Sequence, residues 1–233
     1  RMRKIYISAG HSNKAGRDRG ASGNNFIEGE LTAEFRGLLV KELNKLGVKP
    51  ITDADDTIFS QTVNYFRNLV DSKAIVLDIH WNSATPQAKG TETLIPGKPT
   101  SFEIKLAESL SKKVGEVLEI PLRGKNGVKT ELESHHKKLA WMSLTGENVL
   151  MEVCFISNKS EMNTYQKNKN ILAENIAKVL YNFAKDEVSN IYSVKEGDSL
   201  SKIAKENTTT VEKIKKDNLL KSDVIQIGQQ LKL

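Results

Sequence analysis

The sequence predicts an α/β protein with a mostly parallel sheet covered by helices on both faces, followed by a small strand–helix–helix–strand (βααβ) module. Continuous apolar runs, which are typical of strands buried on both faces, alternate with segments whose apolar residues recur at helical spacing. This alternation stops near residue 185, where a short polar stretch begins. We therefore expect a domain at 1–185, a linker at 186–190 and a module at 191–233 within the 233 residues.

Three apolar, β-branched runs, at residues 5–11, 74–82 and 148–158, predict the buried strands of the first domain. Apolar stripes between and after these runs predict four helices, and we interpret the stripes as core without a functional role. The stripes are Leu31, Phe35, Leu38, Leu39, Leu43 and Leu46; Val63, Phe66 and Val70; Ile104, Ala107, Leu110, Val114, Val117 and Leu118; and Ile171, Ile176, Val179, Leu180 and Phe183. We expect the first helix to begin near Gly29 or Glu30 and to end at Gly47.

The last segment of the chain carries its own turn and cap signals. Residues 191–195 predict a strand, and Gly197, Asp198 and Ser199 predict a turn and a helix cap. Thr210 is expected to cap a second helix, and residues 229–233 are expected to form a closing strand. The segment is too short for a second large domain, so a compact module with a simple function is expected.

Composition narrows the classes of function. Cys154 is the only cysteine, which excludes an internal disulfide and a thiolate zinc cluster, and its apolar surroundings favour a small buried side chain. The net charge is +6, but the lysines and arginines are scattered along the chain with acidic residues between them. We therefore expect no nucleic-acid partner. No apolar run approaches the roughly 20 residues needed to span a bilayer, and no secretory signal is expected at the start. The oligomeric state stays open.

Two histidines stand at the ends of predicted strands. His11 follows the first run, and His80 ends the second. Ligand sites in open α/β sheets form beyond the carboxyl ends of the strands, so both imidazoles can reach one crevice. Glu28, which lies between a glycine-rich loop and a helix, is the natural third ligand. Two histidines and one carboxylate form a standard catalytic zinc set with one position open, although each residue alone also fits an ordinary structural role.

Glu152 lies inside the third apolar run, where an ionised carboxylate is costly unless it is compensated. We predict that it acts as a general base that takes a proton from water and passes it to a leaving nitrogen. A buried ion pair is the structural alternative. Asp78, two residues before His80, is a candidate for orienting an imidazole. His135 and His136 are weaker candidates for a ligand or for a place in the substrate cleft.

With these residues in place, the first domain resembles the zinc-dependent N-acetylmuramoyl-L-alanine amidases of the type 3 class, which occur in autolysins and phage endolysins. The resemblance covers residues 3–184. It is carried by Gly10-His11, by Glu28, by His80-Trp81-Asn82-Ser83 and by residues 150–158, which resemble a motif that usually reads Glu-x-Gly-Phe-x-Ser-Asn. The usual Asp-Pro before Gly-His is Ser8-Ala9 here, and the usual glycine after Glu-x is Cys154. Glu30 remains an alternative to Glu28 as the ligand.

Residues 191–233 resemble a LysM module, a class that binds glycans containing N-acetylglucosamine. The resemblance is carried by residues 192–200, by Ile203-Ala204, by Asn218 and by residues 227–231. It implies a glycan groove between residues 197–200 and 221–226. The implied candidate contacts are Gly197, Asp198, Ser199, Leu200, Ile225 and Gln226.

The combined resemblance implies a peptidoglycan hydrolase that cuts the amide bond between N-acetylmuramic acid and L-alanine of the stem peptide. One Zn²⁺ would be held by His11, Glu28 and His80, with Glu152 relaying protons. The implied partner is bacterial peptidoglycan. We expect synthesis in the cytoplasm and action on the wall after release, as for a phage lysin or a non-classically exported autolysin. A catalytically degenerate wall-binding protein and a different zinc hydrolase (a peptidase or a deacetylase) are the alternatives.

Overall fold

The computed structural model describes residues 2–134, 137–185, 191–207 and 209–233. The chain divides into two compact units, which are residues 1–185 and residues 186–233. The linker predicted at 186–190 lies outside the described residues, as do His135 and His136. No helix in the described part of the chain is long and apolar enough to cross a membrane.

The first unit is built on a central sheet, as predicted. Its strands in chain order are β1 (Ile5–Ala9), the hairpin β2 (Ser22–Gly23) and β3 (Phe26–Ile27), β4 (Ile51–Thr52), β5 (Ile75–Asn82), β6 (Glu92–Ile95), β7 (Val128–Thr130) and β8 (Glu147–Phe155). Apart from the hairpin, these strands form one six-stranded sheet in the order β4-β1-β5-β8-β6-β7. All neighbours pair in parallel except β6 and β8, which are antiparallel.

Four longer helices of this unit cover both faces of the sheet. They are α1 (Glu28–Lys45), α2 (Phe59–Arg67), α3 (Ser101–Leu118) and α4 (Lys159–Lys185). Val63 and Phe66 of α2 pack with Trp141, from a short 3₁₀ helix at Ala140–Ser143, against one face. On the other face, helix α4 packs against both α1 and α3. The predicted fold class is therefore confirmed.

Several boundaries and faces differ from the prediction. The first strand ends at Ala9, because His11 takes a left-handed backbone conformation (φ 66°) that a strand cannot contain. Helix α1 begins at Glu28 itself, one residue before the expected start. Ile104 and Ile171 were expected in the core, but both side chains are exposed because a helix on a sheet buries only one face.

The second unit has the predicted strand–helix–helix–strand order. It contains β9 (Ile191–Ser193), α5 (Leu200–Glu206), α6 (Val211–Asp217) and β10 (Gln230–Lys232), with β9 and β10 antiparallel. Ser199 and Thr210 cap the two helices by accepting backbone N–H bonds from Lys202 (3.2 Å) and Lys213 (3.1 Å).

Candidate metal centre

The two histidines meet at the carboxyl ends of adjacent parallel strands. Strands β1 and β5 pair in a register that aligns Ala9 with Ile79, so His11 and His80 follow at the same edge. The centroids of the two imidazole rings are 5.0 Å apart. Gly10 permits this approach, because a Cβ at that position would lie 2.3 Å from Nε2 of His80.

Glu28 lies between the two imidazoles. Its Oε2 is 3.3 Å from Nε2 of His11, and its Oε1 is 3.0 Å from Nδ1 of His80. The backbone N–H groups of Ala21 and Trp81 also donate to this carboxylate, over 2.9 and 3.0 Å, which fixes its orientation. One ligand atom from each of the three residues lies within 4.8 Å of the other two. The structure thus brings together the three residues predicted to form a metal site.

Each imidazole is also held from behind by a second carboxylate. Asp18 Oδ2 lies 3.2 Å from Nδ1 of His11, and Asp78 Oδ2 lies 3.1 Å from Nε2 of His80. Carboxylates in this position fix the tautomer and orientation of a metal-binding histidine. Asp78 was a sequence candidate for this contact, whereas Asp18 was missed.

The electrostatics of the cluster favour positive charge between the acids. Burial opposes the charged form of His80, yet Asp78 and Glu28 raise its pKa well above the ordinary value. Burial likewise opposes the ionised form of Glu28, but hydrogen bonding and charge from His80, with His11 and the Ala21 amide, lower the pKa of that carboxyl. Two imidazoles and a buried carboxylate with this preference fit a divalent cation such as zinc.

Glu152 lies beside this cluster on the next strand, β8. It is the register partner of His80 on β5 and of Glu92 on β6, so all three side chains project from the same face of the sheet. Thr91 donates to the Glu152 carbonyl over 2.9 Å. The Oε2 atom of Glu152 is buried and has no hydrogen-bond partner among the described residues. Burial, opposed by His80 and reinforced by Glu28, Glu92 and Asp78, raises the pKa of Glu152 to about 8.

Glu30, the alternative ligand, is not part of the cluster. Its exposed carboxylate pairs instead with Arg19, and only Glu28 turns toward the histidines. Helix geometry explains the difference, because residues two positions apart on a helix face different directions. Cys154 is buried, as expected for a small core side chain.

The candidate glycan contacts of the second unit divide into buried and exposed groups. Leu200 is only 2% exposed and packs with Ile203 and Leu231, so its side chain is part of the core of the module. Asp198 accepts hydrogen bonds from the Tyr192 hydroxyl (2.7 Å) and the Lys195 N–H (2.8 Å), which occupies it in the turn.

Gly197, Ser199 and Gln226 are exposed, and Ile225 is half-buried. The role of all these residues in glycan binding stays a prediction.

Comparisons with known proteins find a matching family for each of the two units. A family model described as N-acetylmuramoyl-L-alanine amidase matches residues 5–182, and a model of the LysM domain matches residues 192–233. Among curated proteins, residues of this chain are 62% identical over 42 positions to "Probable peptidoglycan endopeptidase LytE" of Bacillus subtilis (strain 168). That match covers 18% of this chain and only 13% of the length of that protein.

Several solved structures share the fold. The catalytic domain of the CD27L endolysin, described as targeting Clostridia difficile, is 24% identical, with a TM-score of 0.62 over 78% of this chain and 98% of that one. The catalytic domain of CwlV, an N-acetylmuramoyl-L-alanine amidase from Bacillus (Paenibacillus) polymyxa var. colistinus, is 24% identical, with a TM-score of 0.61 over 78% and 98%. An N-acetylmuramoyl-L-alanine amidase from Clostridium difficile 630 is 18% identical, with a TM-score of 0.65 over 80% and 98%. At these identities the likeness shows the fold alone.

Proposed function

Because the chain belongs to the type 3 N-acetylmuramoyl-L-alanine amidase family, we propose that it hydrolyses the amide bond between N-acetylmuramic acid and L-alanine of the peptidoglycan stem peptide. We further propose that it uses a zinc ion held by His11, Glu28 and His80. The observation that carries the proposal is the convergence of these three side chains within 4.8 Å, beside a buried glutamate that has no hydrogen-bond partner among the described residues.

The residues of the cluster divide the work of binding the ion. Nε2 of His11, Nδ1 of His80 and the Glu28 carboxylate face one another, while Asp18 and Asp78 hold the far nitrogen of each ring. A zinc ion bound by this set supplies a Lewis acid that activates water and polarises an amide carbonyl. Held from behind in this way, the rings need little rearrangement to bind it.

Glu152 is suited to moving the proton. Hydrolysis requires a proton to leave the attacking water and another to reach the departing nitrogen of L-alanine, so that the C–N bond breaks to give a carboxylate and an amine. Burial raises the pKa of this carboxyl group to about 8, and a cation bound beside it would lower the pKa again, so the group is suited to accept and return a proton near neutral pH. Its backbone is held by Thr91, so the side chain stays at the edge of the cluster.

The LysM module supports a wall substrate. We propose that it binds glycan strands and so raises the local concentration of the first unit at the wall. Gly197, Ser199, Ile225 and Gln226 are the candidate contacts that keep exposed or partly exposed surface. We also propose that the enzyme is made in the cytoplasm and reaches the wall after release.

The products formed from purified sacculi test the reaction. New L-alanine amino termini, with no change in the acetyl content of the glycan, are the expected result. Released acetate would indicate a deacetylase, amino termini of other residues would indicate a peptidase, and the absence of any product would indicate a binding protein. Each of these three results would overturn the proposal.

Two variants separate metal binding from proton transfer. His80→Ala should lose bound zinc and turnover together, because it removes a ligand. Glu152→Gln should keep stoichiometric zinc but lose at least about a hundredfold in kcat, since general acid–base catalysis contributes on that order. Metal content by atomic emission and rates on sacculi are the two measurements. A Glu152→Gln variant with most of its activity would contradict the role of this residue.

A further inference from the structure

A group of three charged side chains, Glu92, Arg123 and Lys129, lies next to Glu152 on the side away from His80. Glu92 on β6 is the register partner of Glu152, and its side chain is only 8% exposed. The Nδ2 atom of Asn82, two residues after His80, donates to Oε1 of Glu92 over 2.9 Å. His80, Glu152 and Glu92 therefore lie side by side on three adjacent strands.

Two cations share the Glu92 carboxylate. Nε of Arg123 lies 3.0 Å and Nζ of Lys129 lies 2.5 Å from the same Oε2 atom. One carboxylate neutralises one of these charges, so the group keeps a net positive charge. The Arg123 and Lys129 side chains remain 35% and 22% exposed, which leaves both accessible to a ligand.

The guanidinium of Arg123 is held in place by several contacts. It lies over the ring of Phe155 at 4.9 Å from the centroid, and its Nη1 donates to the Lys89 carbonyl over 3.3 Å. The Arg123 backbone N–H donates to Thr91 over 3.0 Å. Within the described residues, Nη2 makes no hydrogen bond, so one donor group of an oriented guanidinium is free. Such a donor suits a carboxylate, because charge-assisted hydrogen bonds to guanidinium are strong and directional.

The spacing matches the substrate of the proposed reaction. Adjacent strands lie about 4.8 Å apart, so Glu92 lies about 10 Å from His80 along the sheet. An extended peptide advances about 3.5 Å per residue, so two residues reach about 7 Å beyond the cut bond, and side chains bridge the rest. The second residue of the stem peptide, after L-alanine, carries either a free or an amidated carboxyl group.

We propose that Arg123 and Lys129, oriented by Glu92, form a subsite that binds the free carboxylate of the stem-peptide residue following L-alanine. This inference rests on the proposed amidase function and deepens it by naming a determinant of substrate choice. The competing explanation is that the two cations only neutralise a buried glutamate. That explanation predicts effects on stability but no discrimination between substrates.

The test compares two substrates in which the γ-carboxyl group of the second residue is blocked as a methylamide, because it is also an amide in the intact stem peptide. They are the γ-methylamides of N-acetylmuramoyl-L-alanyl-D-isoglutamate and of its isoglutamine counterpart, which differ only at the α-carboxyl group. The wild type should prefer the free carboxylate by about tenfold in kcat/KM, as expected for a charge-assisted contact at a partly exposed site. Arg123→Gln should reduce this ratio to about one, and Lys129→Met should reduce it in part. Each single variant leaves Glu92 with one cation, which protects the fold.

Lys125→Met is the matched control, because Lys125 is an exposed lysine between the two proposed residues. It removes the same charge from the segment between Arg123 and Lys129 and should keep the wild-type ratio. Unchanged ratios in both Arg123→Gln and Lys129→Met, with wild-type melting temperatures, would overturn the subsite.

A binding measurement distinguishes this failure from failure of the amidase proposal. Calorimetric titration of Glu152→Gln with the same two compounds needs no turnover. The carboxylate form should bind about tenfold more tightly, and adding Arg123→Gln should remove the difference. Equal affinities of the Glu152→Gln single variant for the two compounds would exclude the subsite. Cleavage of neither compound by the wild type, with the difference in affinity intact, would reject the reaction and keep the subsite.

Discussion

Gly20 shows how closely the metal centre depends on a residue without a side chain. A Cβ at this position would lie 2.5 Å from both Oε2 of Glu28 and Cδ2 of His11, and the backbone there has φ +72°. We therefore predict that Gly20→Ala lowers zinc affinity about tenfold or more, as disturbed support of metal ligands typically does. Competition with a chromophoric chelator measures this affinity.

Gly16 provides the control for this substitution. It also has a positive φ (+81°), but a Cβ there would meet nothing within 4 Å. Gly16→Ala carries a similar backbone strain without the clash, and it should bind zinc like the wild type. An equal loss of zinc affinity in both variants would mean that strain in the loop causes the loss, and wild-type affinity in Gly20→Ala would contradict the prediction.

The three residues proposed as metal ligands could be predicted from the sequence, but the residues that support them could be predicted only in part. His11, Glu28 and His80 stand at a strand end or a helix start, where parallel topology brings side chains together. The contact between Asp78 and His80 could be predicted because alternate residues of a strand share a face. Asp18 lies in a loop whose path depends on the left-handed conformation of His11, and no periodic pattern reports such a path.

At the scale of elements, one carboxylate joins helix α4 to two strands. Glu161, in the first turn of α4, accepts the backbone N–H groups of Gly90 (2.6 Å) and Phe155 (2.9 Å). These residues lie just before β6 and at the end of β8. The contact therefore fixes the segment that carries Glu152 against the strand that carries Glu92.

Removing this carboxylate should weaken the fold. Glu161→Ala leaves two buried backbone donors without their partner, and we predict a loss of about 2–4 kcal/mol in the free energy of unfolding. Glu174→Ala on the same helix is the control, because that side chain is 50% exposed and, among the residues that the structure describes, forms an ion pair with Lys178 alone. Urea denaturation of the two variants gives the comparison. A Glu161→Ala variant as stable as Glu174→Ala would exclude this role.

The long elements could be predicted, whereas the short ones could not. Strands β5 and β8 lie in long continuous apolar runs, and helices α1 and α3 carry apolar residues at helical spacing over many residues. Strand β6 has only four residues and β7 only three, so neither run rises above the surrounding loops. The antiparallel entry of β6 beside β8 depends on long-range pairing, which local patterns do not encode. The group formed by Glu92, Arg123 and Lys129 was missed for the same reason.

At the scale of the whole molecule, the two units should separate catalysis from attachment. A chain ending at residue 185 keeps the compact first unit, and it should cut a soluble muramoyl dipeptide at the wild-type rate. Its rate on sacculi should fall about tenfold or more at low enzyme concentration, because tethering acts through effective concentration. Co-sedimentation with sacculi measures attachment directly. Undiminished co-sedimentation would show that the LysM module is not the anchor.

The central sheet is bounded by two of its shortest strands, β4 with two residues and β7 with three. An edge strand is where a second chain can add itself through unpaired backbone groups, and short edges offer few of them. Molecules that accumulate on one surface meet one another often, which increases the risk of such intermolecular pairing. The sheet of this protein therefore has little capacity to recruit a neighbouring copy into an aggregate, even when many copies crowd together.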